Sequence, residues 1–367
     1  MDKNTTFYEL YRPRQLSHII GQESVVRTIK KSCEKDFFHH SYLLAGNFGT
    51  GKTSLARILA SIFNCEKRQV GSFQVCSDNF CDSCASIRNG NCIDVHELDG
   101  ASNTKVENTR SIIESSRYSP QNFKKKIFII DECHRLSNAA MTSLLKTLEE
   151  PSPSSVFILC TTEIDKVPKE IISRCQKLIF KPVSLSIISS YLSKLFIKKN
   201  IDVSQEICDS IAISSRGSVR DAMELAQEIF IMSNDGKVTD QNLSDIIGMP
   251  GRNHLYKIIE SISQDDLIGA FDVLEDLLIS DSDSRSLCYE LSSLFRSIMI
   301  SKISKNYINN LTKTEKDFII SIEDKFDISK LSSILSDFEN AERGFNININ
   351  NKWVLESLII NIIDKLK

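Results

Sequence analysis

A glycine-rich stretch between two apolar runs carries the residues best suited to bind phosphate. Residues 46–53 read GNFGTGKT, which matches the P-loop pattern of two glycines followed by lysine and threonine. The glycines let backbone N–H groups face phosphate oxygens, the lysine reaches the outer phosphates, and the hydroxyl ligates magnesium. We predict nucleotide binding by Gly46, Asn47, Phe48, Gly49, Thr50, Gly51, Lys52, Thr53 and Ser54. The alternative is an ordinary glycine-rich turn.

Two carboxylates follow a second apolar run. Residues 126–132 read KIFIIDE, which predicts a central parallel strand ending at Asp131 and Glu132. Ligands of open α/β sheets bind at this end of the strands, so both acids are expected beside the P-loop. Asp131 is predicted to hold magnesium, and Glu132 to polarise the water that attacks the γ-phosphate. A further strand, predicted at 155–160, places Thr162 at the same edge.

Four cysteines lie within twenty residues, in the order Cys65-x10-Cys76-x4-Cys81-x2-Cys84. Two residues between thiolates let both bind one zinc ion, and turn-forming residues separate the other cysteines. We predict a structural zinc site, because four protein ligands leave no position for a catalytic water. A set of surface thiols that bind no metal is the alternative. Cys92, in a stretch that looks like a strand, with alternation over 93–98, is interpreted as a core residue.

The elements that position these residues follow from local patterns. Apolar spacing predicts strand 41–45 and a helix directly after the P-loop, which directs its positive dipole end at the phosphates. Further helices are predicted near Gln22, over 104–116, from the N-cap Ser137 to before Pro151, and after Pro168. The helix over 104–116 carries Lys105 and Arg110, as a phosphate contact or as a solvated face.

The whole-chain properties narrow the class of protein. A chain of 367 residues fits two or three domains, and a net charge of -3 argues against a globally basic nucleic-acid binder. The N-terminus lacks the apolar segment of a signal peptide, and no apolar run approaches a membrane span. We therefore expect a cytoplasmic protein without membrane association. Reduced cysteines at a metal site and in the core are expected rather than disulfides.

Several long motifs resemble the gamma/tau (DnaX) family of bacterial DNA polymerase III, whose members are clamp-loader ATPases of the AAA+ class. These motifs are the P-loop with its four-cysteine insert, LDGASNTKVENTR, IIDECHRLSNAAMTSLLKTLEEP and SRC. The resemblance runs from about residue 7 to at least residue 250. It implies that Arg174 of SRC is an arginine finger acting on a neighbouring subunit's ATP, that Thr162 is sensor 1, and that Arg220 is sensor 2. It also implies adenine contacts by Arg12, Ile19 and Ile20, and DNA contacts by Lys105 and Arg110.

The implied fold is α/β, a P-loop AAA+ domain with a parallel sheet over 1–178 and a zinc-binding insert at about 65–84. A small helical lid domain over 179–248 and an α-helical oligomerisation collar over 252–367 would follow, with a linker at 249–251.

The implied partners are the delta and delta prime subunits, further copies of this chain, the sliding clamp and primer-template DNA. Longer relatives carry modules for the helicase and the polymerase. None is visible here, so a gamma-like form is expected and this coupling is not predicted.

The first hypothesis for function is an ATP-driven motor subunit that uses ATP, Mg²⁺ and a structural Zn²⁺ to load the clamp onto primed DNA. It would belong to the polymerase III holoenzyme without a polymerase site of its own. A delta-prime-like stator is the nearest alternative, but such subunits have degraded P-loops. A Holliday-junction helicase would lack the zinc insert and SRC. A zinc-stabilised scaffold that binds nucleotide without turnover would need neither Glu132 nor Arg174.

Overall fold

The structure, a computed structural model, describes residues 6–76, 81–102, 106–233, 252–279, 284–304, 307, 311, 313–345 and 350–366. Lys105 and the linker predicted at 249–251 lie outside these residues. The chain divides into two compact units. The first comprises Met1–Val183 with Gly217–Asp221, and the second comprises Ser184–Arg216 with Ala222–Lys367. Among the described residues, no helix combines the length and apolarity needed to cross a membrane.

The described part of the first unit contains a five-stranded parallel sheet. Its strands are Ser41–Ala45 (β1), Val95–Asp99 (β2), Lys126–Asp131 (β3), Ser155–Thr161 (β4) and Gln176–Ile179 (β5). The strand order is β2-β3-β4-β1-β5. Strands β1, β3 and β4 therefore lie side by side, so their carboxyl ends meet at one edge. This confirms the strands predicted at 41–45, 126–131 and 155–160.

Helices cover both faces of this sheet, as parallel sheets require. They are Phe7–Leu10 (α1), Glu23–Glu34 (α2), Lys52–Asn64 (α3), Asp82–Asn89 (α4), Val106–Ser116 (α5), Asn138–Glu149 (α6) and Lys169–Arg174 (α7). Alternate residues of β1 enter opposite cores. Leu44 packs with residues of α2 and α3, whereas Leu43 packs with residues of α6 and α7. A one-residue shift of β1 would exchange the two faces, so burial fixes the position of the P-loop.

Caps set several helix boundaries. Helix α6 begins after Ser137, whose side chain accepts a hydrogen bond from the Ala140 N–H, and it ends two residues before Pro151. Pro168 is the N-cap of α7. Strand β2 starts at Val95 rather than at the predicted residue 93, because a turn closes with the Val95 N–H donating to the Cys92 carbonyl. Cys92 therefore precedes the strand and is half-buried against the core.

The described part of the second unit is helical. Its helices are Leu185–Lys198 (α8), Gln205–Ser214 (α9), Val219–Met232 (α10), Arg252–Ser263 (α11), Leu267–Ile279 (α12), Ser284–Ile303 (α13), Lys313–Ile322 (α14), Ile328–Phe345 (α15) and Asn351–Leu366 (α16). The first three residues of α10 belong to the first unit. One apolar core joins α11 to α16, with Phe295 packed against Phe326 and Phe338. The hydroxyl of Thr314 on α14 donates to the buried Asp209 carboxylate on α9.

Candidate nucleotide site and cysteine cluster

The P-loop connects the end of β1 to the start of α3 and is closed by its own hydrogen bonds. The Lys52 ammonium donates to the carbonyls of Gly46 at 2.8 Å and Asn47 at 2.9 Å. Burial lowers the pKa of Lys52, while the nearby Glu132 carboxylate opposes this shift. A lysine folded over the loop in this way can exchange carbonyl partners for phosphate oxygens.

Gly46 and Gly51 both have positive φ angles, 153° and 102°, which favour glycine. At Gly46 space is limiting as well, because an added Cβ would lie 2.3 Å from the Phe180 carbonyl oxygen. The loop therefore needs a glycine at this position for two independent reasons.

Thr53 and Asp131 meet at the sheet edge. The Thr53 hydroxyl on α3 donates to the Asp131 carboxylate at the end of β3, at 2.7 Å. The other carboxylate oxygen of Asp131 accepts the Glu132 backbone N–H at 3.0 Å. A hydroxyl and a carboxylate paired beside a P-loop are the hard oxygen donors that suit magnesium, which is usually held by one or two carboxylates together with substrate phosphates. These two residues could hold that ion.

Glu132 has a left-handed backbone, with φ 44° and ψ 45°. This conformation is uncommon for a residue other than glycine and is often found at functional sites. The Thr162 hydroxyl, which follows β4, donates to Glu132 Oε2 at 2.9 Å. The adjacency of β3 and β4 thus brings together two residues that lie thirty positions apart in the chain.

His134 is absent from the predicted site residues, although it contacts three of the groups at this edge. Its Nδ1 lies 3.2 Å from Glu132 Oε2 and 3.1 Å from the Thr161 hydroxyl, and its Nε2 lies 3.2 Å from Glu163 Oε1. The signal in the sequence is an imidazole two residues after the paired acids. The periodicity of the sequence gives no indication that Thr161 and Glu163 would meet this ring.

The N-terminal segment reaches the start of α3 through Arg12. Its Nε donates to the Ser54 hydroxyl at 3.3 Å, and burial lowers the pKa of its guanidinium. Ile19 and Ile20 follow a 3-10 turn at Leu16–His18 and are both half-buried, with Ile19 packed against the core that contains α3. The structure therefore brings Arg12 to the P-loop helix and packs Ile19 against the core that contains this helix.

Arg220 also lies at the P-loop. The Gly49 carbonyl accepts the Val219 N–H at 3.0 Å, so the tip of the P-loop binds the N-terminus of α10. The Arg220 guanidinium lies 4.8 Å from the ring centroid of Tyr8 and 5.0 Å from that of Phe48. These distances are within the range of cation–π contacts. Tyr8 is a further residue near the site that the sequence patterns did not indicate.

Arg174 and Arg110 lie in other surroundings. The Arg174 guanidinium pairs with the Glu149 carboxylate at the end of α6 and donates to the Glu170 carbonyl at 2.7 Å. Arg110 is exposed on α5, and Lys105 lies outside the described residues. The contacts of Arg174 thus join α6 and α7 and do not involve the P-loop.

The four predicted cysteines converge. Their sulfur atoms all lie within 4.8 Å of one another, with Cys65 and Cys76 at 3.5 Å and Cys76 and Cys81 at 3.7 Å. A tetrahedral zinc ion with bonds of about 2.3 Å separates its sulfur ligands by about 3.8 Å. A disulfide would require about 2.05 Å. The cluster therefore fits one metal ion better than any disulfide pairing.

The pKa values of Cys76, Cys81 and Cys84 respond to burial and to hydrogen bonds. Burial, with hydrogen bonds to Cys65 and Cys81, raises the pKa of Cys76 to about 11. Burial is also the main cause that raises the pKa of Cys84. Burial acts in the same direction on Cys81, but hydrogen bonds from Cys84 and Glu66 outweigh it and lower the pKa of that thiol. A bound cation would stabilise all four as thiolates and release their protons.

Known proteins match this chain over most of its length. The DNA polymerase III subunit gamma of Buchnera aphidicola subsp. Baizongia pistaciae is 34% identical over 337 residues, which are 91% of this chain and 89% of that protein. The chain belongs to the DNA polymerase III gamma/tau family. The gamma subunit of Buchnera aphidicola subsp. Acyrthosiphon pisum is 37% identical over 258 residues, 70% of each chain. Residues 21–184 also match a family model described as DNA polymerase III, delta subunit.

Some gamma/tau relatives are longer. Subunit tau of Bacillus subtilis is 34% identical over 311 residues, which are 84% of this chain and 54% of that protein. The chain thus spans about half the length of this relative. Family membership is shown by the Buchnera matches, while the activity and partners of the longer proteins remain proposals for this chain.

Proposed function

We propose that this gamma/tau family member is an ATPase motor subunit of the DNA polymerase III clamp loader, a cytoplasmic replication complex. The observation that carries the proposal is the convergence of three neighbouring strand ends on one place. There, Lys52 folds over the P-loop, Thr53 pairs with Asp131, and Thr162 binds Glu132. These are the parts that phosphoryl transfer from a nucleoside triphosphate requires.

In this proposal each residue has a defined role. The P-loop N–H groups and Lys52 bind the phosphates, and Thr53 and Asp131 hold magnesium, which would neutralise charge on the phosphate oxygens. Glu132 polarises the attacking water, and Thr162 orients that carboxylate. Arg220 acts from the same chain, which agrees with its position beside the P-loop residue Phe48.

Arg174 acts on the nucleotide of a neighbouring subunit. Its placement between α6 and α7, paired with Glu149, supports a role outside its own site. An arginine supplied by a neighbour stabilises charge on the transferring phosphoryl group. ATP hydrolysis then requires that neighbouring subunits are assembled. The motor subunit therefore releases the sliding clamp only when the complex is formed on primed DNA. Arg110, exposed on α5, and Lys105 are proposed DNA contacts.

The four-cysteine cluster is proposed to bind one structural zinc ion, because all four positions of a tetrahedral ion are filled by the protein. Partner subunits are proposed to be delta, delta prime and further copies of this chain. The division of the helical part of the chain into a lid domain over 179–248 and an oligomerisation collar over 252–367 remains a prediction.

A delta-prime-like stator is the second candidate, favoured by the match of residues 21–184 to the delta model. Steady-state ATP hydrolysis separates the two, measured with the chain alone and with clamp, partner subunits and primed DNA from its own organism. A motor gives a weak basal rate that rises strongly with the complete mixture, and both Lys52→Ala and Glu132→Gln abolish the rise. A flat rate with ATP still bound would identify a stator or a scaffold.

A further inference from the structure

His134 occupies a buried position between two carboxylates. It lies in the 3-10 turn Cys133–Arg135, and its side chain is 5% exposed. Its Nδ1 is 3.2 Å from Glu132 Oε2, and its Nε2 is 3.2 Å from Glu163 Oε1. The ring therefore connects the proposed catalytic carboxylate to an acid after β4.

We propose that His134 is a positioning residue for Glu132, a role that rests on the proposed ATPase function. Glu132 Oε2 has two neighbours that can donate to it, the Thr162 hydroxyl at 2.9 Å and the His134 ring. Together they fix one carboxylate oxygen and leave Oε1 to meet water. Restraint of this kind matters because a displacement of about 1 Å can lower a rate about 100-fold.

The two ring nitrogens have different partners, so their contributions are separable. Nδ1 faces Glu132, whereas Nε2 faces Glu163, whose side chain is 47% exposed and also pairs with Lys166. The Thr161 hydroxyl also lies 3.1 Å from Nδ1 and accepts the Glu163 backbone N–H at 3.0 Å, so an N–H at Nδ1 is shared between this hydroxyl and Glu132 Oε2. Positioning of Glu132 requires a donor at Nδ1 and does not depend on Nε2.

Two amide substitutions test this difference. An asparagine side chain places an N–H near the position of Nδ1, whereas glutamine extends its amide toward the position of Nε2. We expect His134→Ala and His134→Gln to lower kcat about 10- to 100-fold in the complete clamp-loader mixture. His134→Asn should recover at least tenfold of the rate lost in His134→Ala. KM and the Kd for a non-hydrolysed ATP analogue should stay within about twofold, because the P-loop is unchanged.

A purely structural histidine would behave differently. It would lower the melting temperature and analogue binding together, with asparagine and glutamine equally harmful. That pattern, or a native kcat in His134→Ala, overturns the proposal. Glu163→Gln does not risk the fold, because this side chain is about half exposed, and it keeps an acceptor for Nε2. Its rate should stay within about twofold of native, and a loss as large as that of His134→Ala would move the role to Glu163.

Glu132→Gln makes failure of this inference distinguishable from failure of the proposed function. If Glu132→Gln abolishes turnover while the His134 variants keep it, only the positioning role is wrong. If Glu132→Gln itself turns over at the native rate, the proposed ATPase mechanism is wrong and the role of His134 with it.

Discussion

Arg174 and Glu149 form an ion pair between the ends of α7 and α6, so the proposed arginine finger is bound within its own chain. Both side chains are partly exposed, 33% for Arg174 and 46% for Glu149. Exposed pairs of this kind contribute about 0–1 kcal/mol, which a neighbouring nucleotide can overcome. The ion pair therefore holds the guanidinium at the protein surface, but weakly enough that the guanidinium can leave Glu149 for a neighbouring nucleotide.

Arg174→Ala should leave ATP binding nearly unchanged, because the guanidinium contacts Glu149 and not the P-loop. It should abolish DNA-stimulated turnover, because the proposed role of this arginine is to stabilise charge on the phosphoryl group in a neighbouring subunit. The measurements are the Kd for ATP and the steady-state hydrolysis rate in the complete mixture. Arg27→Ala, on the exposed face of α2, is the matched control and should keep both values. Equal losses of binding and turnover in Arg174→Ala would contradict action on a neighbouring site.

Cys84→Ser should remove zinc from the protein, whereas Cys92→Ser should keep one ion per chain. Cys84 belongs to the four-sulfur cluster, while Cys92 is a half-buried cysteine that precedes β2. Elemental analysis of the purified proteins gives the zinc content. The melting temperature of Cys84→Ser should also fall, by roughly 2–4 °C for each kcal/mol lost. Native protein without zinc, or a Cys84→Ser variant that retains a full equivalent, would refute the site.

Gly49→Ala should impair both stability and nucleotide binding. Gly49 has φ +69°, and an added Cβ would lie 1.9 Å from the Ser218 hydroxyl oxygen. The positive φ alone costs about 1–3 kcal/mol. The collision adds to this cost and displaces the segment that carries Arg220. Differential scanning calorimetry and titration with an ATP analogue measure the two effects.

Gly90→Ala is the matched control, because Gly90 has φ +71° and, apart from its chain neighbours, no heavy atom of the described residues lies within 4 Å of its Cβ position. It should show the backbone strain alone, with native nucleotide affinity. In Gly49→Ala/Ser218→Ala the added methyl no longer meets a hydroxyl, so part of the loss should return. Identical effects of Gly49→Ala and Gly90→Ala would mean that the contact with Ser218 has no influence.

His96 should make the fold less stable in mild acid. It stacks on Phe128 with ring centroids 5.0 Å apart, and its buried Nε2 has no hydrogen-bond partner among the described residues. Burial lowers the pKa of His96 below 6.5, and the positive charge of Lys126 acts in the same direction. The unfolded chain therefore binds the proton first, and the free energy of unfolding falls as the pH drops below 6.5 toward the folded pKa.

His96→Phe keeps the aromatic stack but cannot bind a proton. Its free energy of unfolding, measured in urea at pH 7 and at pH 5.5, should fall less than that of the native protein over this interval. Subtracting the change in the variant from the change in the native protein gives the contribution of His96, because carboxylates that titrate over the same pH interval contribute to both proteins. Parallel slopes would show that the ring is protonated as easily in the folded state as in the unfolded one.

The sequence by itself determined the local elements of this protein. Strand 41–45, the helix after the P-loop, the N-cap at Ser137 and the four cysteines could all be predicted, because apolar periodicity, caps and ligand spacing act over a few residues. The strand predicted from residue 93 starts instead at Val95, since the turn at Cys92 depends on a single backbone hydrogen bond. Family resemblance added predicted roles for Arg174 and Arg220 that no local pattern indicates.

Only the tertiary structure decided which side chains meet. The order β3-β4-β1 brings Thr162 to Glu132 and places His134 between Glu132 and Glu163. The pairing of Arg174 with Glu149 likewise depends on how α6 and α7 pack. Such contacts join residues distant in the chain, and their geometry follows from the position of whole strands and helices on the sheet. Periodicity along the sequence describes each element separately and cannot specify those positions.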